Sequence, residues 1–404
     1  MIPLKEVQEN VLNRIRLNST IMIPVRDALG CVVVDPIVSD CNVPAFNTTA
    51  VDGFAVSAET TKLATPNNPV CLQVRETIAA GKLNDLEPAD SDVAYKIMTG
   101  AVMPKSCDAS IMIEDVKITE SEVQIFKPAQ TGDYIRNLGS EISAGKTVIE
   151  ANTVLTPAHL GLLSSIGITE IMTYSKPVVG VLSTGNEVVE PSQTNLAMGQ
   201  IRDANRMSLI NTLRNIDIDS IDLGIVQDNF EEVKKAIYDS VKKCDFVITT
   251  GGISMGEFDF LKAILSDLEG FNWHQIAIKP AKPFLFGVLD GVPIFCLPGN
   301  AVSCLVSFEL LVRPALLKAQ GHKHLYRDIF RAKLASDMLR KSDGKTHYYR
   351  VKIFVNKDKE LMVRGFDGQS SHQLSGYASS NGLAIIADGQ GSSIGSYVDV
   401  MYID

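Results

Sequence analysis

Leu4, Val7, Val11, Leu12 and Ile15 fall three or four residues apart, the spacing of one helix face, so residues 4–17 should open the chain as an amphipathic helix. Between residues 31 and 126 the pattern shortens to apolar runs broken by turn residues (CVVVD, NPVCLQV, AYKIM, ASIMI, EVQIF), which predicts a β-rich module. Helical spacing returns over 153–166, with Pro157 near the start, where a missing N–H costs nothing, and Gly167 as a stop. From residue 176 to about 320 apolar strands alternate with helices, the signature of βαβ units around a parallel sheet. Three of these strands, PVVGVLSTG, DFVITTGG and VPIFCLPG, each end in a glycine turn. In NFEEVKKAIYDSVKK, Asn229 stands where a helix N-cap belongs, with acids early and lysines late. Alternation over 327–404 predicts a small barrel or sandwich, and 320–328 is the best linker.

The expected organisation is therefore multidomain α/β plus β. A helical linker region would be formed by 1–30 and 127–172, a β-rich domain by 31–126, a parallel-sheet α/β domain by 173–322 and a C-terminal β-barrel by 327–404. A length of 404 residues accommodates this, since a domain takes roughly 100–200. With 45% hydrophobic and 21% charged residues the chain is globular, not disordered, collagenous or coiled-coil. A net charge of −9 disfavours nucleic acid, so an anionic ligand needs a local site. Seven scattered cysteines with no CxxC pair suit the reducing cytoplasm. Glu6 and Glu9 are wrong for a signal peptide, and no apolar run reaches the ~20 residues of a membrane span.

Ligands of open parallel sheets bind beyond the carboxyl ends of the strands. Those ends carry Ser183-Thr184-Gly185, Thr249-Thr250-Gly251-Gly252 and Pro298-Gly299-Asn300. Glu187, Asp203 and Asp259 follow nearby, as do Arg202, Arg206, Lys279 and Lys282. Lysines to neutralise phosphate and carboxylates to hold Mg²⁺ suit a phosphorylated ligand. Each feature has a plainer reading, a tight turn or a solvated acid, and Asp52-Gly53 between apolar residues reads as a hairpin turn. The residues alone thus lead to a magnesium-assisted enzyme or binder of a phosphorylated ligand.

Nine segments in order (NTTAVDGFAV, IMTGAVMP, STGNEVVEP, GQIRDANR, LGIVQDN, TTGGISMGEFDF, IKPAKPFLFG, LPGNAVS and GQSSHQLSGYASSNGLAII) resemble the molybdopterin molybdenumtransferases, the MoeA and gephyrin C-terminal domain family, over essentially the whole chain. The resemblance implies a cytoplasmic homodimer of molybdenum cofactor synthesis. Such an enzyme inserts molybdate into the dithiolene of adenylylated molybdopterin and releases AMP. It implies catalytic roles for Asp52, Glu141 and Asp259, with Asp52 reaching the cleft of the partner subunit, and Mg²⁺ at Glu187, Asp203 and Asp259. Substrate would be held by Thr99, Gly100, Arg136, Thr184, Gly251, Gly252, Ser254, Lys279, Lys282, Ser303, Arg350 and Ser371. The implied partners are a molybdopterin adenylyltransferase upstream and molybdoenzyme acceptors downstream. The chain departs from the family pattern at Glu141, where aspartate is usual, at Ala281 (KPAKP for KPGKP) and at Ala301 (PGNAVS for PGNPVS). Two other readings compete: the adenylyltransferase itself, which lacks the flanking modules, and a non-enzymatic dimeric scaffold.

Overall fold

The computed structural model describes residues 1–81, 93–253, 261, 265, 270–338, 342–366, 368–390 and 393–403. The α/β domain is built on a six-stranded sheet in the order Ser220–Val226, Val179–Thr184, Phe246–Thr250, Val292–Leu297, Pro283–Leu289, Asn272–Gln275. The first four are parallel to one another, as the alternation predicts. The last two run antiparallel and extend the sheet, an addition that the sequence pattern did not separate from the parallel strands. Every residue of Val179–Thr184 and Phe246–Thr250 is buried, because helices cover both faces of the sheet. Phe284, Phe286 and Phe295 fill its centre, the latter two with ring centroids 4.9 Å apart.

The N-terminal helix spans Leu4–Leu12 and buries Val7 and Val11 in this same core. Nine residues are too few for a stable isolated helix. Burial of each such side chain contributes about 1.5–3 kcal/mol, so docking holds it. Asn229 caps Phe230–Ser240 as expected, accepting the N–H groups of Glu231 and Glu232. After Ala301–Ser307 the helix widens into a π turn at Phe308–Val312 before Arg313–Ala319. Pro314 lacks an N–H, and its ring crowds the carbonyl four residues back, so the wider turn avoids that clash.

In the linker region Thr20–Pro24 pairs with Glu170–Tyr174, and Pro157 is the first residue of the helix Pro157–Ser165. The β-rich module is a six-stranded sheet in which Gly53–Val56 lies between the edge strand Ala109–Met112 and Val93–Ile97. Asp52-Gly53 is therefore not a hairpin turn. Gly53 starts a strand paired on both sides, and a Cβ there would stand 1.8 Å from the Ile111 carbonyl oxygen. In the C-terminal region Thr346–Val355, Leu361–Gly365, Phe330–Leu334, Tyr397–Tyr402 and Gly382–Ile386 pair in that order, and the last returns to the first, closing a five-stranded barrel. The two-residue strand Ile278–Lys279 is added to this barrel by parallel pairing with Thr346 and His347.

Candidate active site

At the carboxyl edge of the α/β sheet the glycine turns crowd together. Gly251 has φ +96°, and a Cβ on it would stand 2.5 Å from the Thr184 carbonyl oxygen. Its N–H donates to the Leu297 carbonyl at 3.1 Å, and that of Gly185 to the Val226 carbonyl at 3.2 Å. These two glycines therefore make room for the turns and do not offer their N–H groups to a ligand. Gly252 follows with φ +65°, and the Thr184 hydroxyl donates to the Thr250 carbonyl at 3.4 Å. Asn205 ties the edge together, its amide donating to Thr250 Oγ1 and to the Gly299 carbonyl, each at 2.7 Å. Sequence reasoning missed Asn205, although it lies two residues after Asp203 in GQIRDANR. Ser254 and Asp259 lie outside the described residues.

The acids at this edge have different surroundings. Glu187 is exposed and folds back over Gly185, its Oε2 2.8 Å from where a Cβ on that glycine would be. Asp203 is 5% exposed, and both its oxygens face Arg206: Oδ1 accepts the backbone N–H at 3.1 Å and Oδ2 accepts Nε–H at 3.0 Å. The buried Arg206 guanidinium also reaches Glu190 at 2.6 Å and Asp222. Burial opposes its charge, but the bonds to Asp222, Glu190 and Asp203 outweigh that and raise its pKa. Arg202 instead holds the Gln193 and Thr194 carbonyls, fastening the 193–202 loop. Asp228 and Asn186, both passed over in the sequence, pair reciprocally beside Glu187. Among the described residues no group of three His, Cys, Asp or Glu side chains converges as a metal site. Of the expected Mg²⁺ ligands, Asp203 is taken up by Arg206, Glu187 is exposed and Asp259 lies outside the described residues, so no step below is routed through Mg²⁺.

Next to this edge lies a cleft of about 650 Å³ between the α/β domain and the barrel. Lys279, Lys282, Lys345 and His372 line it, together with Asn300, Ser303 and Ser371. Both Lys279 and Lys282 are exposed, whereas Ser303 is buried. Between the lysines Ala281 is 2% exposed at φ +71°, a conformation that favours glycine. The Ser371 carbonyl accepts the N–H of Val302 at 3.0 Å, which pins the barrel loop to the start of the Ala301–Ser307 helix. Arg350 does not open into the cleft. Its guanidinium is 1% exposed and donates to the Gly368, Ser370 and Gln373 carbonyls and to Gln369 Oε1, shaping from beneath the loop that carries Ser371.

A third group lies in the β-rich module and the loop after it. Asp52 Oδ1 accepts the Thr99 N–H at 2.7 Å and its hydroxyl at 2.8 Å; the backbone bond first and then the hydroxyl lower its pKa. Gly100, at φ +82°, donates to the Thr49 carbonyl, and Arg136 pairs in register with Thr48, so these residues share one neighbourhood. Glu141 is exposed on a loop anchored by Asn42 and Asn47, which accept the N–H groups of Ala144 and Leu138. The apolar clusters of this module contain no α/β residue, so one chain does not bring Asp52 against the glycine edge through a shared core.

Residues 2–167 match the "MoeA N-terminal region (domain I and II)", 180–318 a "probable molybdopterin binding domain" and 331–403 the "MoeA C-terminal region (domain IV)". A molybdopterin molybdenumtransferase of Haemophilus influenzae is 35% identical over 398 residues, 97% of this chain and 96% of that one. The chain belongs to the molybdopterin molybdenumtransferase family. A Bacillus subtilis protein of the same name is 31% identical over 100% of this chain and 94% of its own. A molybdopterin biosynthesis MoeA protein of Pyrococcus horikoshii superposes with a TM-score of 0.83 at 30% identity, covering 100% and 99% of the two chains. The protein is thus an enzyme of molybdenum cofactor biosynthesis. Among its described residues no helix is long and apolar enough to cross a membrane.

Ala281, where the transferase pattern has glycine, offers a test of how the KPAKP turn tolerates its methyl. Glycine would relieve about 1 kcal/mol of left-handed strain. It would also lose about 0.8 kcal/mol of buried carbon and add about 0.4–1 kcal/mol of unfolded-state entropy. Ala281→Gly should therefore be neutral to slightly destabilising. A rise in urea midpoint would show that the strain outweighs both.

Proposed function

We propose that this transferase inserts molybdate into adenylylated molybdopterin and releases AMP. The observation that carries this reading is the continuity of the glycine edge with the basic cleft. Asn205 binds both Thr250 and Gly299, and the adjoining Asn300 lines the cleft. A pterin adenylate at Thr184, Gly251 and Gly252 would then stand beside a pocket whose lysines suit a dianion. Cleaving the anhydride develops negative charge on phosphate oxygens, which Lys279 and Lys282 neutralise. Molybdate occupies the same cleft with Ser303 and with Ser371, whose loop Arg350 shapes.

The reading includes a homodimer in which Asp52, Thr99, Gly100 and Arg136 of one subunit complete the cleft of the other. Its supplier is a molybdopterin adenylyltransferase, and its acceptors are molybdoenzymes. The test is to mix the protein with adenylylated molybdopterin, with and without molybdate. Molybdate-dependent consumption of the adenylate with AMP release supports the reading; adenylate formation from ATP would favour the adenylyltransferase, and no turnover by folded protein the scaffold.

Glu141 carries the same charge as the usual aspartate on a side chain one methylene longer, and its loop is fixed by Asn42 and Asn47. Catalytic positioning responds to shifts of ~1 Å. In the same assay Glu141→Gln should slow insertion at least about tenfold, and Glu141→Asp should be intermediate because the loop is fitted to the longer side chain. Insertion by Glu141→Gln at the full rate would remove this carboxylate from the chemistry.

A further inference from the structure

An asparagine at the start of a helix usually accepts the free N–H groups of that helix. Asn205, the first residue of the helix Asn205–Asn215, is bonded elsewhere. Asp203 already accepts the N–H of Arg206 in the first turn, and the Asn205 side chain turns to residues 45 and 94 positions away. Its amide nitrogen donates to Thr250 Oγ1 and to the Gly299 carbonyl, each at 2.7 Å. A carbonyl only accepts, so the NH₂ group must face Gly299, and its two hydrogens serve the two bonds.

The two anchors belong to different parts of the site. Thr250 is 3% exposed and ends the strand that leads into Gly251 and Gly252, and its carbonyl accepts the Thr184 hydroxyl. Gly299 leads through Asn300 into the helix Ala301–Ser307, which carries Ser303 to the cleft and whose Val302 N–H holds the Ser371 carbonyl at 3.0 Å. The two turns touch, since a Cβ on Gly299 would stand 3.6 Å from Gly251 Cα. The backbone bond from the Gly251 N–H to the Leu297 carbonyl stops two residues short of Gly299, and the Asn205 amide extends the tie to it.

We propose that Asn205 is a positioning residue that sets the adenylate edge and the oxyanion cleft at their working distance. The inference rests on the reading of these two as neighbouring substrate sites. Insertion requires the dithiolene sulfurs to meet molybdate, so the relative placement of the sites enters the rate of reaction and not the affinity for either substrate alone. Asn205 acts through Thr250 and Gly299. An asparagine suits this task because one nitrogen supplies both donors, whereas an aspartate of the same shape would set an acceptor against the Gly299 carbonyl.

The experiment compares wild type with Asn205→Ala, Asn205→Asp and Asn205→Gln. It measures kcat for insertion at saturating substrates, equilibrium dialysis of molybdate alone and of adenylylated molybdopterin alone, and melting temperature. Asn205→Ala and Asn205→Asp should each lose about thirtyfold or more in kcat while either substrate binds alone within about threefold, because a misplacement of ~1 Å suffices for such losses. Asn205→Gln keeps both donors on an arm one methylene longer and should recover part of the rate. A side chain that merely filled space would be replaced by aspartate without loss. Full kcat in Asn205→Ala or Asn205→Asp overturns the inference, as does a loss of either affinity that matches the loss of kcat. Should those variants not fold, Thr250→Val cuts one of the two bonds at nearly constant shape and should lower kcat with the same unchanged affinities; full kcat there overturns the inference too. Insertion that is absent in folded wild type, or that does not depend on molybdate, overturns the reading of the two sites and this inference with it.

Discussion

Replacing Arg206 with methionine should destabilise the α/β domain by about 3 kcal/mol, the low end of what breaking a buried ion pair costs. The effect centres on Asp203. Its side chain is 2% exposed and would keep only the Arg206 backbone N–H, whereas Glu190 and Asp222 are about half exposed and regain water. Arg206→Lys should fall between, because a single ammonium cannot serve three carboxylates in the planar geometry of a guanidinium. The chain's one tryptophan, Trp273, lies on the edge strand of the same sheet, so its fluorescence during urea unfolding reads this domain. An unchanged midpoint in Arg206→Met would mean that the three acids tolerate isolation and that Asp203 is free to serve a cation instead.

The second large effect concerns the cleft that we propose two subunits share. Asp52→Ala and Lys282→Ala should each insert molybdate far more slowly alone. If the site is built from two chains, mixing them and allowing subunit exchange should restore roughly a quarter of the wild-type sites, because half the dimers are hybrids with one intact cleft each. Recovery is read in the insertion assay, with exchange followed by differently tagged chains. Complete exchange without recovery would place Asp52 and Lys282 in the same chain's site, or Asp52 outside any site.

Much of this architecture is written in local patterns. The Asn229 cap, the Pro157 helix start and the alternation of strands with helices depend on residues within a few positions of each other, and the sequence shows them directly. What it conceals depends on partners far along the chain. Arg206 reads as a phosphate-binding cation beside Asp203, yet its charge is consumed by Glu190 and Asp222, each sixteen residues away. Arg350 likewise reads as a ligand for an anion, but the loop over it, 18 to 23 residues downstream, accepts four hydrogen bonds from its guanidinium. The Asp52-Gly53 pair misleads for a related reason: its local signal is a turn, while the glycine answers to the Ile111 carbonyl on a neighbouring strand. The glycine edge was legible as a place, though not in the detail that Gly185 and Gly251 spend their N–H groups on the sheet.

The pairing of Ile278–Lys279 with the barrel has a consequence for protein synthesis. Lys279 and Lys282 leave the ribosome with the α/β domain, but the wall opposite them, from Lys345 to His372, is made later. Domains generally fold as they emerge, N-terminal first. The nascent chain can therefore form its glycine edge while its lysines still face water, and a polypeptide interrupted after the α/β domain would lack both the opposite wall of the cleft and the barrel residues Tyr348, Leu383 and Met401 that pack into the α/β core.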